Sequence, residues 1–218
     1  MAGLSHAPAE PLSVVELAAV AAAVGRAEAL TSAEIRIAVR TRPLRAPPLM
    51  PVVWAALVAL LGPWLLVLVP ALSSRTFSPL DLLSLQALIF VGLSVVLMLP
   101  PLARRVVPKA AYRAAAREAA LDQFLAHGIA QTDGRTGILI YIAVEERLVE
   151  VVADSGVHEA LGHAAWSEIC AAVASQAGQG HLAAGLIAAA ERAGELLAGH
   201  LPREAGDADT LSNHVILM

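Results

Sequence analysis

The sequence predicts an α/β fold with α+β character, a small sandwich whose mixed sheet is flanked by helices and which a two-helix transmembrane hairpin interrupts. Three observations lead to this fold class. Two long uncharged runs lie in the first half of the chain, one alternating strand-like segment precedes them, and two strand-like segments with helical segments follow them. The lone strand before the hairpin needs partners, and the available strands lie beyond it. We therefore expect one discontinuous soluble domain, residues 13–45 with 106–203, around a hairpin at 46–105.

The composition already separates these two parts. The 218 residues are 57% hydrophobic and 16% charged, whereas an ordinary soluble domain is about 25% charged. The shortfall lies between Arg45 and Arg104, where the only charged residues are Arg75 and Asp81. The net charge of −4 predicts no basic surface for nucleic acid, so we expect no nucleic-acid partner.

The two uncharged runs are each long enough to cross a membrane. A helix needs about 20 apolar residues to span roughly 30 Å of hydrocarbon. The predicted spans are about 49–72 and 82–103, joined by a turn over 73–81. Buried core helices are the alternative, but core helices of this length normally keep a polar face, and neither run has one. The sequence therefore predicts the lipid bilayer as one partner of the chain.

Positive charge flanks the hairpin on both sides and is sparse in its turn. Arginines precede it and basic residues crowd positions 104–117 after it, whereas the turn carries Arg75 alone. Because Lys and Arg accumulate on the cytoplasmic side, we expect a multi-pass protein of the plasma (inner) membrane with both termini in the cytoplasm. Neither span has an acid or a base in its middle, which argues against a proton-coupled transporter or an ion channel.

One helix and one strand are expected before the hairpin. Ser13 and Glu16 form a capping box, which predicts the start of a helix. Residues 34–40 alternate strictly between apolar and polar side chains. This alternation predicts a strand with one buried face and with Arg36 and Arg40 on the other face.

A helix and a strand hairpin are expected directly after the membrane segments. The helix should run from Pro108 to about His127, with Gly128 placed to end it. Residues 137–144 are uniformly apolar, as in a central strand that is covered on both faces. Residues 147–153 form a second strand, predicted to pair with the first as a hairpin.

Two helices with apolar stripes follow the strands. The first carries Trp166 and Cys170, and the second carries Leu186 and Leu197. Cys170 is the lone cysteine, so no internal disulfide is possible, and its place in the apolar stripe favours an inert core thiol over a nucleophile. Residues 204–218 are predicted to be a disordered tail.

One near-match to a zinc-protease motif is set aside on geometry. His158, Glu159 and His163 resemble H-E-x-x-H with one extra residue. On a helix, a spacing of four separates two side chains by about 40°, whereas five separates them by about 140°, so the two histidines would face apart. The sequence contains neither a phosphate-binding G-x-x-x-x-G-K-[ST] loop nor a G-x-S-x-G nucleophile elbow.

Two short loops form the candidate functional site. The loop before the central strand contains Asp133 and Arg135, and the loop after the last strand begins with Asp154. In an antiparallel hairpin the start of one strand lies beside the end of the next, so these three residues should share one edge of the sheet. Two carboxylates beside an arginine could hold calcium or magnesium, or a phosphate through the arginine. The alternative, which we favour from the sequence, is a structural ion pair with both aspartates capping turns.

The second half of the chain resembles the C-terminal part of a TPM domain. The segment QTDGRTGILIYIAVEERLVEVVADSGVHEALGHAAW carries the strand approach T-x-x-R-x-G-I-L-I-Y and the turn D-x-G-V-H-E, and a later helix carries G-L followed by E-R. The opening LTSAEIRIAV is also similar to the start of that family's domain. The resemblance covers roughly residues 13–45 and 106–203. The residues that carry it in the second half are Thr132, Arg135, Gly137, Asp154, Gly156, His158, Glu159, Gly162, Trp166, Gly185, Leu186, Glu191 and Arg192.

This resemblance implies a small α/β sandwich and two kinds of function. Some members of the family are assembly or maintenance factors for membrane complexes. Others are described as acid phosphatases or as calcium-binding proteins, and the acidic ligands available here would be Asp133, Asp154 and Glu159. We therefore expect a membrane-anchored interaction module with an unknown membrane protein partner and no certain cofactor. The alternative is a metal-assisted phosphatase that uses Asp133, Arg135 and Asp154.

Overall fold

The elements of the protein follow the predicted order closely. The computed structural model describes residues 12–45, 48–68, 78–132, 134–161, 164–203 and 212–218. The strands are β1 (Glu34–Arg40), β2 (Gly137–Ala143), β3 (Leu148–Ala153) and β4 (Ile216–Leu217). The helices are α1 (Val14–Glu28), α2 (Leu49–Leu68), α3 (Pro79–Leu97), α4 (Pro100–Val106), α5 (Lys109–Ala126), α6 (Ser155–Leu161), α7 (Ala164–Gly178) and α8 (Leu182–Ala198), and a 3-10 turn covers Ile129–Gln131.

The chain divides into two compact units. One contains the described residues of 1–44 and of 116–218, and the other contains those of 45–115. In the first unit the strands form one mixed sheet in the order β3-β2-β1-β4. β1 pairs in parallel with β2, and β2 pairs antiparallel with β3. The strand before the apolar helices α2 and α3 thus pairs mainly with a strand that follows them, and the predicted strand hairpin is confirmed.

One face of the sheet carries the main hydrophobic core. The apolar positions of β1 and β2 point to this side because side chains alternate along a strand. Helices α1, α7 and α8 pack over it and against one another. The central residues of this core are Ile35, Ile37, Val39, Ile138, Ile140, Ile142, Leu186 and Leu197.

The opposite face of the sheet is also covered, which corrects the prediction of a single buried face for β1. Glu34 is buried there, and Arg36 and Arg40 are half-buried. The side chain of Arg117, in α5, reaches this face, since its guanidinium lies 3.9 Å from the carboxylate of Glu150, whose neighbours along β3 pack on the core. The prediction failed because an alternating pattern cannot tell a polar face in water from one under a second layer.

A short edge strand replaces part of the expected disordered tail. Residues 204–211 lie outside the described residues, but Ile216–Leu217 pairs in parallel with β1. The Met218 N–H donates to the Val39 carbonyl at 3.0 Å, and the Thr41 N–H donates to the Met218 carbonyl at 2.8 Å. The disorder predicted for 204–218 is therefore wrong for these last residues, where backbone pairing rather than side-chain pattern decides the structure.

The second unit contains the apolar helices. Within the described residues, α3 is the one helix long and apolar enough to cross a membrane, and none of its residues is buried. The described side chains of α2 give a shorter apolar stretch, Leu49–Trp64. The end of the first predicted span, 69–72, lies outside the described residues. A second membrane-crossing helix is thus not shown, and the multi-pass topology remains a prediction.

The second predicted span, 82–103, has different bounds in the structure. It is divided into α3 and the short helix α4, which begins at Pro100. Proline cannot donate a backbone hydrogen bond and its ring clashes with the preceding turn, so a proline pair ends one helix and suits the first turn of the next. Apolar character alone did not reveal this break.

Candidate functional site

The two predicted loops meet at one edge of the sheet. The Asp154 N–H donates to the Gly137 carbonyl oxygen at 2.9 Å, and the Gly156 N–H donates to the Arg135 carbonyl oxygen at 3.1 Å. This contact follows from the register of β2 and β3, in which Ile138 lies opposite Ala153. The structure therefore brings the backbones of Arg135 and Asp154 together, as the hairpin geometry predicts.

The loop before β2 is fixed by its threonines. The Thr136 N–H donates to the Thr132 hydroxyl oxygen at 3.0 Å, and the Thr136 hydroxyl donates to the Ser32 carbonyl oxygen at 3.1 Å. Both threonine side chains are buried. Between them Arg135 has a φ of 50°, in the left-handed region that costs a residue with a side chain some strain. The hydrogen bonds on both sides of Arg135 hold this conformation in place.

Gly156 allows the second loop to approach the first. A Cβ at this position would lie 2.8 Å from the Gly134 carbonyl oxygen and 2.9 Å from the Arg135 carbonyl oxygen, both closer than van der Waals contact permits. Since these neighbours are backbone atoms, they cannot rotate away. Gly156 is thus required for the tight junction of the two loops, which explains one position of the D-x-G-V-H-E turn.

Of the two oxygens of the Asp154 carboxylate, one accepts hydrogen bonds and the other has no partner among the described residues. Oδ1 accepts from the Ser155 N–H at 2.6 Å and from its hydroxyl at 3.3 Å, at the start of α6. Oδ2 is buried and has no hydrogen-bond partner among the residues that the structure describes. A buried carboxylate oxygen without a partner is costly, so this oxygen is the least satisfied atom of the junction.

The other candidate side chains do not complete a site within the described residues. No hydrogen bond or ion pair joins the exposed Arg135 guanidinium to the Asp154 carboxylate. Glu159 is exposed on α6, and Asp133 lies outside the described residues. No group of three or more His, Cys, Asp or Glu side chains in the described ranges could hold a metal ion. Among the described residues, Asp154 and Glu159 are thus the candidate carboxylates, and these two do not by themselves make up a calcium or magnesium site.

The sequence analysis did not predict a buried polar cluster near the start of β1. Glu28, at the end of α1, is buried and its Oε1 accepts from the Ile35 N–H at 2.8 Å. This N–H lies beyond the reach of the short strand β4, so the carboxylate satisfies a backbone donor that would otherwise be orphaned. Burial lowers the pKa of the neighbouring Arg36 guanidinium, against the opposing effect of the Glu28 and Glu34 charges. The sequence feature that could have indicated this cluster is a charged residue at the end of an apolar helix.

Cys170 has the properties predicted for a core thiol. It is partly buried on α7. Burial, with a smaller effect of the Glu150 charge, raises the pKa of the Cys170 thiol to about 11. Since the thiolate is the reactive form, the thiol is almost entirely protonated and unreactive at neutral pH.

In the second unit, α2 and α3 pack against each other along two facing stripes. On α2 the stripe is buried and repeats every four residues, at Pro51, Ala55, Ala59 and Pro63. Small residues at this spacing let two helix backbones approach closely. The Gln86 side-chain amide makes a long contact of 3.5 Å to the Leu60 carbonyl oxygen of α2. The remaining surface of both helices is apolar and exposed; Leu88, for example, is 72% exposed.

Two comparisons with known proteins, one of families and one of solved structures, found a match. The TPM domain family model matches residues 96–196. The fold is similar to the NMR structure of the BA42 protein from the psychrophilic bacterium Bizionia argentinensis, with a TM-score of 0.60 and 20% sequence identity, covering 97% of this chain and 99% of that one. No curated protein matches the chain. Over residues 96–196, just under half of its length, this chain is therefore similar to the TPM domain family.

Proposed function

We propose that this protein is a membrane-anchored interaction module, in which the TPM domain lies in the cytoplasm and assists the assembly or maintenance of a membrane protein complex. Its anchor is a hairpin formed by α2 and α3 in the plasma (inner) membrane. Both termini then lie on the cytoplasmic side, because the basic residues flank the hairpin.

The observation that carries this proposal is the exposed apolar surface of α3. A helix in a soluble domain buries its apolar stripe, yet no residue of α3 is buried, and Leu80, Leu83, Leu88, Val91 and Val95 are exposed. Leaving this much apolar surface in water is unfavourable by roughly 25 cal/mol per Å². Hydrocarbon is the solvent that suits such a helix.

The packing of α2 against α3 supports a hairpin rather than a single crossing. The stripe of small residues on α2 that includes Ala55 and Ala59 is characteristic of helix pairs in membranes. The outer positions of α2, including Trp54 and Leu61, are as apolar and exposed as those of α3. Both helices therefore have the same two-sided design, with one side for the partner helix and one for lipid.

The interaction role is supported by exposed apolar side chains on the soluble unit. Leu121 and Leu125 lie one turn apart on α5, and Leu125 is 66% exposed. Two leucines at this spacing present one apolar patch. The guanidinium of the exposed Arg135, at the sheet edge, has no hydrogen-bond or ion-pair partner among the described residues and can pair with an acidic group of a partner protein.

The test of this proposal is the topology of the full-length chain in its membrane. The protein should stay in the membrane pellet after alkaline carbonate extraction. Reporter fusions at Thr76 should read external, and fusions at either terminus should read cytoplasmic. An N-terminal reporter outside the cell would refute the orientation, and release of the chain by carbonate would refute the anchor itself.

One observation favours a second candidate function, a phosphatase that uses Asp133, Arg135 and Asp154. The buried Asp154 Oδ2 lacks a partner among the described residues and lies at the junction that also holds Arg135. Such an oxygen is available to a cation. The discriminating measurement is the melting temperature with and without calcium or magnesium, because a ligand that binds only the folded state raises stability.

A further inference from the structure

An apolar groove with an arginine in its wall lies on the helical unit, apart from the TPM sheet edge. Trp54 and Val58 of α2 form one wall, Leu93 and Leu97 of α3 form the other, and Arg105 and Val106 of α4 close one end. Its volume is about 430 Å³, which lies within the roughly 300–1,000 Å³ of small-molecule sites in proteins. Each helix supplies two side chains one turn apart, so the walls run along the helices.

The position of the groove along the hairpin determines which medium it meets. Trp54 lies near the start of α2 and Leu97 ends α3, so the groove opens at the end of the pair where the chain enters and leaves. Under the topology proposed above this is the cytoplasmic end. Trp54 is 51% exposed there, and tryptophan is enriched at the level of the lipid headgroups. The groove therefore lies at the boundary between hydrocarbon and headgroups.

The charge at the groove is positive. Arg105 is exposed, and its guanidinium has no hydrogen bond or ion pair with any residue that the structure describes. Lys109 and Arg113 follow it in the sequence and are also exposed. An arginine fork binds two phosphate oxygens at once. The cytoplasmic leaflet carries anionic lipids, whose charge complements this group.

We propose that this groove binds one anionic phospholipid. One acyl chain lies against Trp54, Val58, Leu93 and Leu97, and the phosphate of the headgroup pairs with the Arg105 guanidinium. This inference rests on the proposed membrane anchor. It adds a specific lipid as a ligand of the hairpin. The apolar walls provide affinity, and the one charged group selects the headgroup.

The test compares two lipids on the full-length protein in detergent micelles. Equal amounts of palmitoyl-oleoyl phosphatidylglycerol and phosphatidylcholine are added, and lipids that remain bound are counted by native mass spectrometry. We expect phosphatidylglycerol to be retained preferentially. Since one basic residue near a membrane surface favours an anionic lipid by an amount that corresponds to about fivefold in binding, Arg105→Gln should lower this preference about fivefold.

Two further variants separate a specific site from diffuse charge. Arg113→Gln removes an equally exposed positive charge outside the groove and should leave the preference unchanged. Leu93→Trp fills the groove and should lower retention of both lipids. An equal loss in Arg113→Gln and Arg105→Gln would overturn the proposal, as would undiminished retention in Leu93→Trp.

A water-soluble competitor distinguishes the lipid from free phosphate. Glycerol phosphate at millimolar concentration should not displace phosphatidylglycerol, because it offers nothing to the apolar walls. Displacement by glycerol phosphate would refute the lipid site. Carbonate extraction of the same membranes shows whether a negative result concerns the lipid site or the membrane anchor. A chain that stays in the membrane but shows no lipid preference refutes this inference alone, whereas a chain that is released refutes the anchor as well.

Discussion

Gly194 of α8 lies directly against Ala27 of α1 at the crossing of these two helices. A Cβ built at position 194 would lie 2.7 Å from the Ala27 Cβ and 2.8 Å from its Cα, well inside van der Waals contact. The two helices cover the same face of the sheet, and their crossing is as close as their backbones allow. Any larger side chain at this point must push α1 away from α8.

Replacing Gly194 by alanine should therefore destabilise the first unit, which contains the sheet. Although alanine is the better helix former, the added methyl group overpacks the crossing, and overpacking costs about 1–3 kcal/mol. For a chain of this size each kcal/mol lowers the melting temperature by roughly 2–4 °C. Near-UV circular dichroism of the full chain in detergent measures this shift.

Gly199→Ala is the matched control for this substitution. Gly199 follows α8 at a φ of −72°, and a Cβ there would meet nothing closer than 3.6 Å. Its melting temperature should lie about 1–4 °C above that of wild type, because neither strain nor clash results and alanine restricts the unfolded chain. If Gly194→Ala melted at the same temperature as Gly199→Ala, the close crossing of α1 and α8 would be wrong.

A chain in which a short Gly/Ser linker replaces residues 46–105 should fold as a soluble protein. The sheet and its core lie in the first unit, and the Leu44 N–H already donates to Glu146 Oε1 at 3.1 Å within that unit. Doubling the length of a flexible linker costs only about 0.6 kcal/mol, so its length is not critical. Size-exclusion chromatography and amide hydrogen exchange measure the outcome.

The control for this deletion carries one charge in the core. Ile140→Asp in the same shortened chain should abolish folding, because an unpaired carboxylate would be buried in the central strand. A shortened chain that aggregates or lacks protected amides would show that helices α2 and α3 are part of the folding core.

Asp154→Asn distinguishes the two readings of the sheet edge. If the carboxylate only caps α6, the substitution should lower stability by about 0.3–1 kcal/mol, because it removes a negative charge from a helix start. The metal response should then be absent in both proteins. If Asp154 is a cation ligand beside Asp133, the metal-free variant should melt higher than wild type, since repulsion between two carboxylates is relieved.

The measurement is differential scanning calorimetry in chelator and in calcium or magnesium. Glu159→Gln is the control, since Glu159 is an exposed carboxylate on the same helix. We expect the change in melting temperature that a capping role predicts: in chelator, Asp154→Asn should melt lower than wild type. A higher melting temperature for that variant would favour the phosphatase hypothesis.

Cys170 should react slowly with thiol reagents while the protein is folded. Burial raises the pKa of its thiol from 9.0 to about 11, so the thiolate fraction near pH 8 is about a hundredfold lower than in the unfolded chain. Reaction with a chromogenic disulfide in native and in denaturing buffer measures this ratio. Equal rates in both buffers would refute the buried thiol.

The same pKa shift predicts how stability depends on alkaline pH. The folded state favours the protonated thiol, so this contribution to stability is fully present below pH 9 and is lost as the pH rises from 9 towards 11. Relative to Cys170→Ala, wild type should lose stability over this interval. Parallel stability curves of the two proteins would contradict this linkage.

The elements that depend on neighbours within one or two turns could be predicted from the sequence. The Ser13 capping box is present, with the Ser13 N–H donating to Glu16 Oε2 at 2.7 Å. β1 has the predicted bounds, residues 34–40. The junction of Arg135 and Asp154 was also predictable, because the register of a strand hairpin fixes which residues lie at its edge. In each case the deciding interactions are local or follow from one pairing.

The sequence alone was sufficient to predict the local elements, the pairing of the strand hairpin and the long apolar runs of α2 and α3. Contacts between distant groups appear only in the folded protein: β4 pairs with the edge of β1, the Glu28 carboxylate accepts from the Ile35 N–H, and Gly194 lies against Ala27. The two kinds of feature differ in how far apart along the chain the deciding residues lie. Helix caps and strand alternation depend on residues a few positions apart, whereas burial of a polar side chain depends on which other element packs over it, and no periodicity records that choice.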